Sequence, residues 1–303
     1  MSAAPAPFRR VSFDIPGGRV AGLAFGADKP DPDIVFLHAT GFNARAYQSM
    51  LAPLGARFTV LALDARGHGL TTLPAPRAGY TSWRRHSDDL IAVLERNVAA
   101  PVTLAGHSLG ATVSLLAAAQ RPDLVSSLAL IEPVIMPAAF YAFMQVPLGP
   151  LLARAIVPLA RGAAKRNAYF PSRDIAARAF TGRGIFKQFP PQAIEDYLAD
   201  GLVEAGDGFR LACTPAYEAA TFCAQRHDPW MALRRVDCPL VVLRAEKDST
   251  CSPAALLRIA ALKPAARLAT VEAAGHMLPM QRPDRVRAAI ETAALRARGL
   301  GLE

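Results

Sequence analysis

Short unbroken apolar runs alternate along this chain with longer stretches whose apolar residues recur every three or four positions. The first pattern suits strands buried on both faces, and the second suits helices packed on one side. Asp33–His38 (DIVFLH), Phe58–Leu63, the run Val102, Leu104, Ala105, then Ser127–Ile131, Pro239–Ala245 and Arg267–Glu272 follow the first pattern. Ala44–Leu54, Thr81–Asn97, Ala111–Gln120, Pro253–Leu262 and Arg282–Arg298 read as helices. Ahead of them, Phe8–Ile15 and Arg19–Gly26 form a hairpin pattern around Pro16-Gly17-Gly18. Regular alternation of this kind predicts an α/β fold, with a mostly parallel doubly wound sheet covered on both faces. After Pro133 the alternation stops, and until Pro239 the chain is helical or irregular, punctuated by Gly and Pro, with no convincing strand. This predicts a core of residues 1–133 and 231–303 interrupted by a helical cap insertion over residues 134–230.

One strand-to-helix junction carries candidate chemistry. Val102–Gly110 reads VTLAGHSLG, a G-x-S-x-G pattern after an apolar run and before a helix-forming stretch. Turning directly from strand to helix strains the serine backbone, so residues two positions either side must be small. The turn thrusts Ser108 out at the carboxyl edge of the sheet, beside the first amides of a helix. Those amides carry partial positive charge and can hold an oxyanion.

A nucleophilic serine needs a base, and the base needs an orienting acid. In this kind of sheet they follow in the order serine, acid, histidine. Only His227 and His276 lie beyond Ser108, and His276 sits in the loop after the last strand, so His276 is the expected base. Asp248, in the loop after Pro239–Ala245, is the expected acid; Glu132, after Ser127–Ile131, is its competitor. Backbone N–H groups of Leu109 and Thr40 are the expected oxyanion donors, with Ala39 the alternative to Thr40. His38 is expected to bond loop backbone, and Asp64, Arg66 and His68 to clamp a loop beneath the site.

Composition narrows the reading. The chain has 303 residues and is 52% hydrophobic, enough for a large core. A net charge of +9 invites a nucleic-acid partner, but the arginines are spread along the chain without aromatic interleaving, so none is expected. Cys213, Cys223, Cys238 and Cys251 form no C-x-x-C pair, and no His/Asp/Glu cluster has ligand spacing, so neither metal nor disulfide framework is expected. No nucleotide-binding fingerprint appears, and no cofactor is expected. The N-terminal MSAAPAPFRRVSF lacks a signal-peptide apolar region, and a cytoplasmic location is expected. No charged residue lies between Glu132 and Arg154, a length that could span a bilayer, but Pro133, Pro137, Pro147, Gly149 and Pro150 divide it into short pieces.

The segments LHATGF, LDARGHG, GHSLG, RAEKD and GHMLPMQRP occur in the order found in α/β-hydrolase fold proteins, and the chain resembles a capped serine hydrolase of that superfamily. Ala39 stands where many members have Gly, and the triple-glycine loop of one lipase and esterase branch is absent. The Ser nucleophile separates it from relatives that use Asp, such as haloalkane dehalogenases and epoxide hydrolases. The resemblance implies an esterase- or lipase-like enzyme cleaving a small or apolar carboxylic ester. The same triad also serves carbon–carbon bond hydrolases, acyltransferases and hydroxynitrile lyases, and some binding proteins retain the scaffold. Phe42, His107, Phe140, Met144 and Met277 are the side chains expected to touch substrate, His107 packing beside the elbow. Met136, Tyr141, Phe143, Leu148, Leu151 and Leu152 extend the apolar part of the cap. Arg154, Arg161, Lys165 and Arg166 lie nearby, where a solvated face is the plainer account and an anionic head group the sharper one.

Overall fold

In the computed structural model, which describes residues 8–146, 149 and 157–300, eight strands form one sheet. They are β1 (Arg9–Ile15), β2 (Gly18–Phe25), β3 (Ile34–Leu37), β4 (Val60–Leu63), β5 (Val102–His107), β6 (Val125–Ile131), and the two strands nearest the C terminus, Leu240–Ala245 and Arg267–Val271. Spatial order is β1-β2-β4-β3-β5-β6 and then those two. The first hairpin joins β4 antiparallel, and every later neighbour pairs parallel. The nucleophile strand β5 is therefore central, with strands on both sides.

Successive residues of a strand face opposite sides of the sheet, and this sorts the core. Ile34 and Phe36, Val60 and Ala62, and Ala129 and Ile131 enter the cluster on one face. Val35 and Leu37, Leu61 and Leu63, and Leu128 and Leu130 enter the cluster on the other. Continuous apolar runs follow directly from double burial. Among the helices, α1 (Gln48–Leu51) is a single turn, α2 (Arg84–Asn97) is long, and α3 (Leu109–Gln120) follows the elbow. Every residue of α3 from Leu109 to Ala118 is buried, so it has no polar face. Ala44–Leu54, expected as one helix, is instead two 3-10 turns flanking α1. Pro53 cannot donate the N–H that would extend α1, and the chain tightens there.

Between β6 and the strand at Leu240 lie α4 (Ala138–Gln145), α5 (Pro158–Ala164), α6 (Arg173–Phe180), α7 (Pro191–Gly201) and α8 (Pro215–Cys223). This segment also contains strands where none was expected: β7 (Tyr169–Phe170), β8 (Leu202–Ala205) and β9 (Gly208–Leu211) form an antiparallel sheet in the order β7-β9-β8. Gly206, at φ +61°, and Asp207 make the tight connection between β8 and β9. Helix α9 (Pro229–Arg235) packs back on α3. The Trp230 indole N–H donates to the Met136 carbonyl at 2.9 Å, tying the two ends of this segment together. The chain then runs through β10 (Leu240–Ala245), α10 (Pro253–Leu262), β11 (Arg267–Val271), α11 (Leu278–Gln281) and α12 (Pro283–Ala297). Leu148, Leu151, Leu152 and Arg154 lie outside the described residues. Among the described residues no helix is long and apolar enough to cross a membrane.

Candidate active site

Ser108 stands between β5 and α3 with φ +55° and ψ −113°, a region that side-chain-bearing residues rarely occupy. Its neighbours explain how the strain is held. A Cβ on Gly106 would lie 2.5 Å from the Gly110 carbonyl oxygen, and one on Gly110 would strike the Leu37 carbonyl at the end of β3. Ser108 N–H is fixed by the Ile131 carbonyl at 2.9 Å. The elbow is thus pinned on both flanks, with its hydroxyl at the amino end of α3.

The loop after β11 brings His276 to that hydroxyl. Its Nε2 lies 3.1 Å from Ser108 Oγ, and its Nδ1 lies 2.8 Å from Glu132 Oε2. Glu132 therefore occupies the place expected of Asp248, and that expectation is corrected. Both carboxylates follow neighbouring parallel strands, with Ile131 opposite Leu243, and both residues have a left-handed backbone, φ +50° and +52°. They differ in direction and reach. Glu132 comes directly after β6 and is completely buried. Asp248 comes three residues beyond the end of β10 and is exposed, and no hydrogen bond or ion pair holds its carboxylate among the described residues.

A buried carboxylate must be hydrogen-bonded, and Glu132 is. Its Oε1 accepts from Ala245 N–H at 2.5 Å and Ser249 Oγ at 2.7 Å, and its Oε2 accepts from Thr250 N–H at 3.3 Å as well as from His276. The Asp248 loop thus supplies donors to the acid rather than the acid itself. With Nδ1–H donated to Glu132, His276 presents the unprotonated Nε2 to the serine hydroxyl.

In the loop after β3 the amides on either side of Thr40 are engaged. Ala39 N–H donates to Tyr47 Oη at 3.1 Å and Gly41 N–H to His68 Nε2 at 2.9 Å. Thr40 N–H, between them, has no partner among the described residues, and neither does Leu109 N–H at the start of α3. The amide expected as an alternative donor, that of Ala39, is already occupied. His107 extends the arrangement. Its Nε2–H donates to the His276 carbonyl at 2.8 Å, so its Nδ1 must accept from the Tyr47 hydroxyl at 2.7 Å. Complete burial, followed by the proximity of His276, pushes the His107 pKa well down and keeps the ring neutral. Tyr47 and His107 thus form a strut from the loop after β3 to the backbone of His276.

The supporting loops are built from further buried polar groups. His38 Nδ1–H donates to the Ala39 carbonyl at 2.7 Å, and Nε2 accepts from Ala65 N–H at 2.9 Å. Burial drives its pKa down to about 3, and that of His68 to about 4. Asp64 accepts from Ala44 N–H at 2.7 Å and Leu70 N–H at 2.9 Å, while burial raises its pKa to about 7. Arg66 makes a two-pronged pair with Asp89, at 2.8 and 2.5 Å.

The side chains expected to meet substrate have mostly structural surroundings. His107 is fully buried with both nitrogens engaged, so its expected contact with substrate is corrected. Phe42 is buried among Tyr47, Phe186, Phe189 and Tyr197, with centroids 5.2–6.3 Å apart. Met144 is fully buried, Met277 joins the core, and Phe140 is half-buried against the ring of Tyr141. A different pair reaches the loop after β3. Glu218 Oε1 lies 2.5 Å from where a Cβ on Gly41 would stand, and Arg166 Nη1 lies 3.6 Å from it. Arg166 holds Glu218 at 2.6 Å and the Tyr197 hydroxyl at 3.0 Å. Tyr47, Glu218, Ser249 and Thr250 are the neighbours that sequence reasoning missed. The consecutive hydroxyls of Ser249 and Thr250 were a usable signal, because small hydroxyl residues commonly serve as loop donors. Among the described residues no group of His, Cys, Asp and Glu could hold a metal ion.

Comparison with known proteins agrees with this fold. The chain is 30% identical over 253 residues to the 2-(acetamidomethylene)succinate hydrolase of Mesorhizobium japonicum, covering 84% of each. A solved structure of E-2-(acetamidomethylene)succinate hydrolase superposes with a TM-score of 0.76 at 27% identity, covering 94% of this chain and 98% of that one. Similarity extends to the sn-1-specific diacylglycerol lipase of Mus musculus, 28% identical over 84% of this chain and 78% of the lipase. A sequence model described as the Alpha/beta hydrolase family matches residues 34–289, from β3 to within α12, and this chain belongs to that family.

Proposed function

We propose that this protein is a serine hydrolase that cleaves a small carboxylic ester through an acyl-enzyme intermediate. The observation that carries the reading is the continuous relay Ser108 Oγ, His276 Nε2, His276 Nδ1, Glu132 Oε2, at 3.1 and 2.8 Å. Ser108 Oγ attacks the ester carbonyl carbon while His276 Nε2 takes the hydroxyl proton. Glu132 fixes the tautomer and stabilises the imidazolium that forms, without itself taking the proton. The carbonyl oxygen, now anionic, is held by the amides of Thr40 and Leu109, a pair of the kind whose members are each worth about 10²–10³ in rate. The carbonyl then re-forms, the alkoxide leaves with the proton from Nε2, and water repeats the sequence to release the acid. Residues 134–230 act as a cap that shapes the substrate space. In this reading Phe42, Phe140, Met144 and Met277 support the walls rather than provide the chemistry.

A second reading, an acylamino dicarboxylate substrate, is favoured by the similarity to the succinate-derivative hydrolase. It keeps the same nucleophile, base and acid and changes only the leaving group. A fluorophosphonate probe and a chain-length series of p-nitrophenyl esters, run on wild type and Ser108→Ala, test the common mechanism. Labelling of wild type alone, a burst of p-nitrophenol and a loss of at least 10³-fold in the variant are expected. Near-normal turnover by Ser108→Ala would refute it. Replacing the esters with an N-acyl aminomethylene dicarboxylate separates the two substrate readings.

A further inference from the structure

The net charge of this chain is unevenly placed. Between residues 154 and 187 eight Arg and Lys face a single acid, Asp174, so this stretch carries a net +7 of the chain's +9. Two of these cations are used internally. Arg166 holds Glu218 and Tyr197, and Arg173 donates to the carbonyls of Leu198 and Leu202. Arg161, Lys165, Arg178, Arg183 and Lys187 are exposed, and none has a carboxylate partner among the described residues.

The last four of these lie close in sequence to the members of one partly buried node. The Arg166 guanidinium sits 5.4 Å from the Phe180 ring centroid, and Phe180 lies 5.0 Å from Phe186. Lys165 adjoins the first member of the node in sequence, Arg178 and Arg183 flank the second, and Lys187 adjoins the third. The same node leads inward to the site. Phe186 packs on Phe42 at 5.8 Å, and Arg166 with Glu218 covers Gly41, next to the Thr40 amide.

We propose that Lys165, Arg178, Arg183 and Lys187 form a cationic collar that draws a soluble carboxylate-bearing acyl substrate to Ser108. This rests on the serine hydrolase reading and deepens its two substrate readings by naming the surface that would select for charge: the substrate is an ester or acyl derivative of a small acid whose second carboxylate stays ionised. Arg166 and Glu218 neutralise each other at the inner wall, so the outward attraction comes from the unpaired cations. A cluster of one sign raises local substrate concentration and on-rates by about 10–10³, an effect that salt removes over a Debye length of about 8 Å at physiological ionic strength. The collar therefore acts on kcat/KM and on its salt dependence.

The test compares p-nitrophenyl hemisuccinate with the near-isosteric neutral p-nitrophenyl butyrate, between about 20 and 500 mM NaCl. It uses wild type, the triple variant Lys165→Glu/Arg183→Glu/Lys187→Glu, and a control, Arg96→Glu/Arg235→Glu/Arg285→Glu, with the same change in net charge placed elsewhere. All six side chains are exposed. In wild type the hemisuccinate-to-butyrate ratio of kcat/KM should fall as salt rises. At low salt the collar variant should lower that ratio at least tenfold, and the control should lower it less than threefold. Equal ratios in wild type and collar variant, or equal losses in collar variant and control, would overturn the proposal. So would an unaltered hemisuccinate rate accompanied by lost binding to phosphatidylserine vesicles, which would assign the collar to a lipid surface. Labelling of Ser108 by carboxylate-bearing and neutral fluorophosphonates gives the same comparison without turnover. Failure of both probes to label wild type would refute the hydrolase reading itself, a result distinct from equal, salt-independent labelling.

Discussion

Replacing Glu132 by Gln changes one group in the relay and little of its shape. The Gln amide oxygen can keep the bonds from Ala245 N–H and Ser249 Oγ, now 2.5 and 2.7 Å. Its NH₂ then takes the place of Oε2 and faces His276 Nδ1 and Thr250 N–H, now at 2.8 and 3.3 Å. Two donors cannot face each other across 2.8 Å, so Nδ1 must give up its hydrogen and accept. The proton moves to Nε2, which then points a hydrogen at Ser108 Oγ and can no longer take one. A wrong tautomer of this kind costs about 10⁴ in kcat, or about 5.5 kcal/mol of transition-state stabilisation. Asp248→Asn, at an exposed carboxylate away from the relay, is expected to stay within about 0.5 kcal/mol in stability and close to wild type in rate. Steady-state and burst kinetics on a p-nitrophenyl ester, with thermal melts showing that each variant is folded at the assay temperature, give the comparison. A folded Glu132→Gln protein retaining more than a tenth of wild-type kcat, beside an Asp248→Asn protein reduced a thousandfold, would return the acid to position 248 and refute the assignment.

The strut and the buried histidines give two further predictions. Tyr47→Phe strands the Ala39 N–H and removes the donor to His107 Nδ1, costing about 1–3 kcal/mol in stability. Because the strut holds the loop after β3 and the His276 backbone, kcat should fall about tenfold with KM nearly constant; a lowered melting temperature with unchanged kcat would make it scaffold alone. Stability should also fall on acidification. His38, His68 and His227 have folded pKa values lowered by burial to about 3, 4 and 3, so below pH 6.5 the unfolded chain binds more protons than the folded one. Each removes about 1.4 kcal/mol per pH unit until its folded value is reached. Asp64, raised to about 7, opposes this by favouring the folded state as it protonates, as do Asp88, Asp89 and Glu218, which burial also raises. His86 and His107, lowered by burial, act with the other three histidines, so five imidazoles stand against four carboxyls. Melting temperatures that stay constant or rise between pH 6.5 and 4.5 would contradict this accounting.

Most of the sheet was readable because double burial writes itself as continuous apolar runs, and Gly106 and Gly110 mark a turn that nothing larger could make. The β8–β9 hairpin was missed although Ala205-Gly206-Asp207-Gly208 has the composition of a tight turn; its strands are only four residues each and half exposed, so their alternation is weak. The acid was misassigned for a different reason. Glu132 and Asp248 follow adjacent parallel strands, and order along the chain does not distinguish which carboxylate turns toward a histidine contributed by a third loop. Two local features settle the choice once they are placed in space. Glutamate attached directly to the end of β6 reaches His276 without a loop, and Ser249 and Thr250 return from the competing loop to hydrogen-bond it. A carboxylate fully removed from water at a strand end requires donors of this kind, whereas an aspartate in a solvated turn requires none. The physical rule that separates the candidates is therefore the supply of donors around each carboxylate.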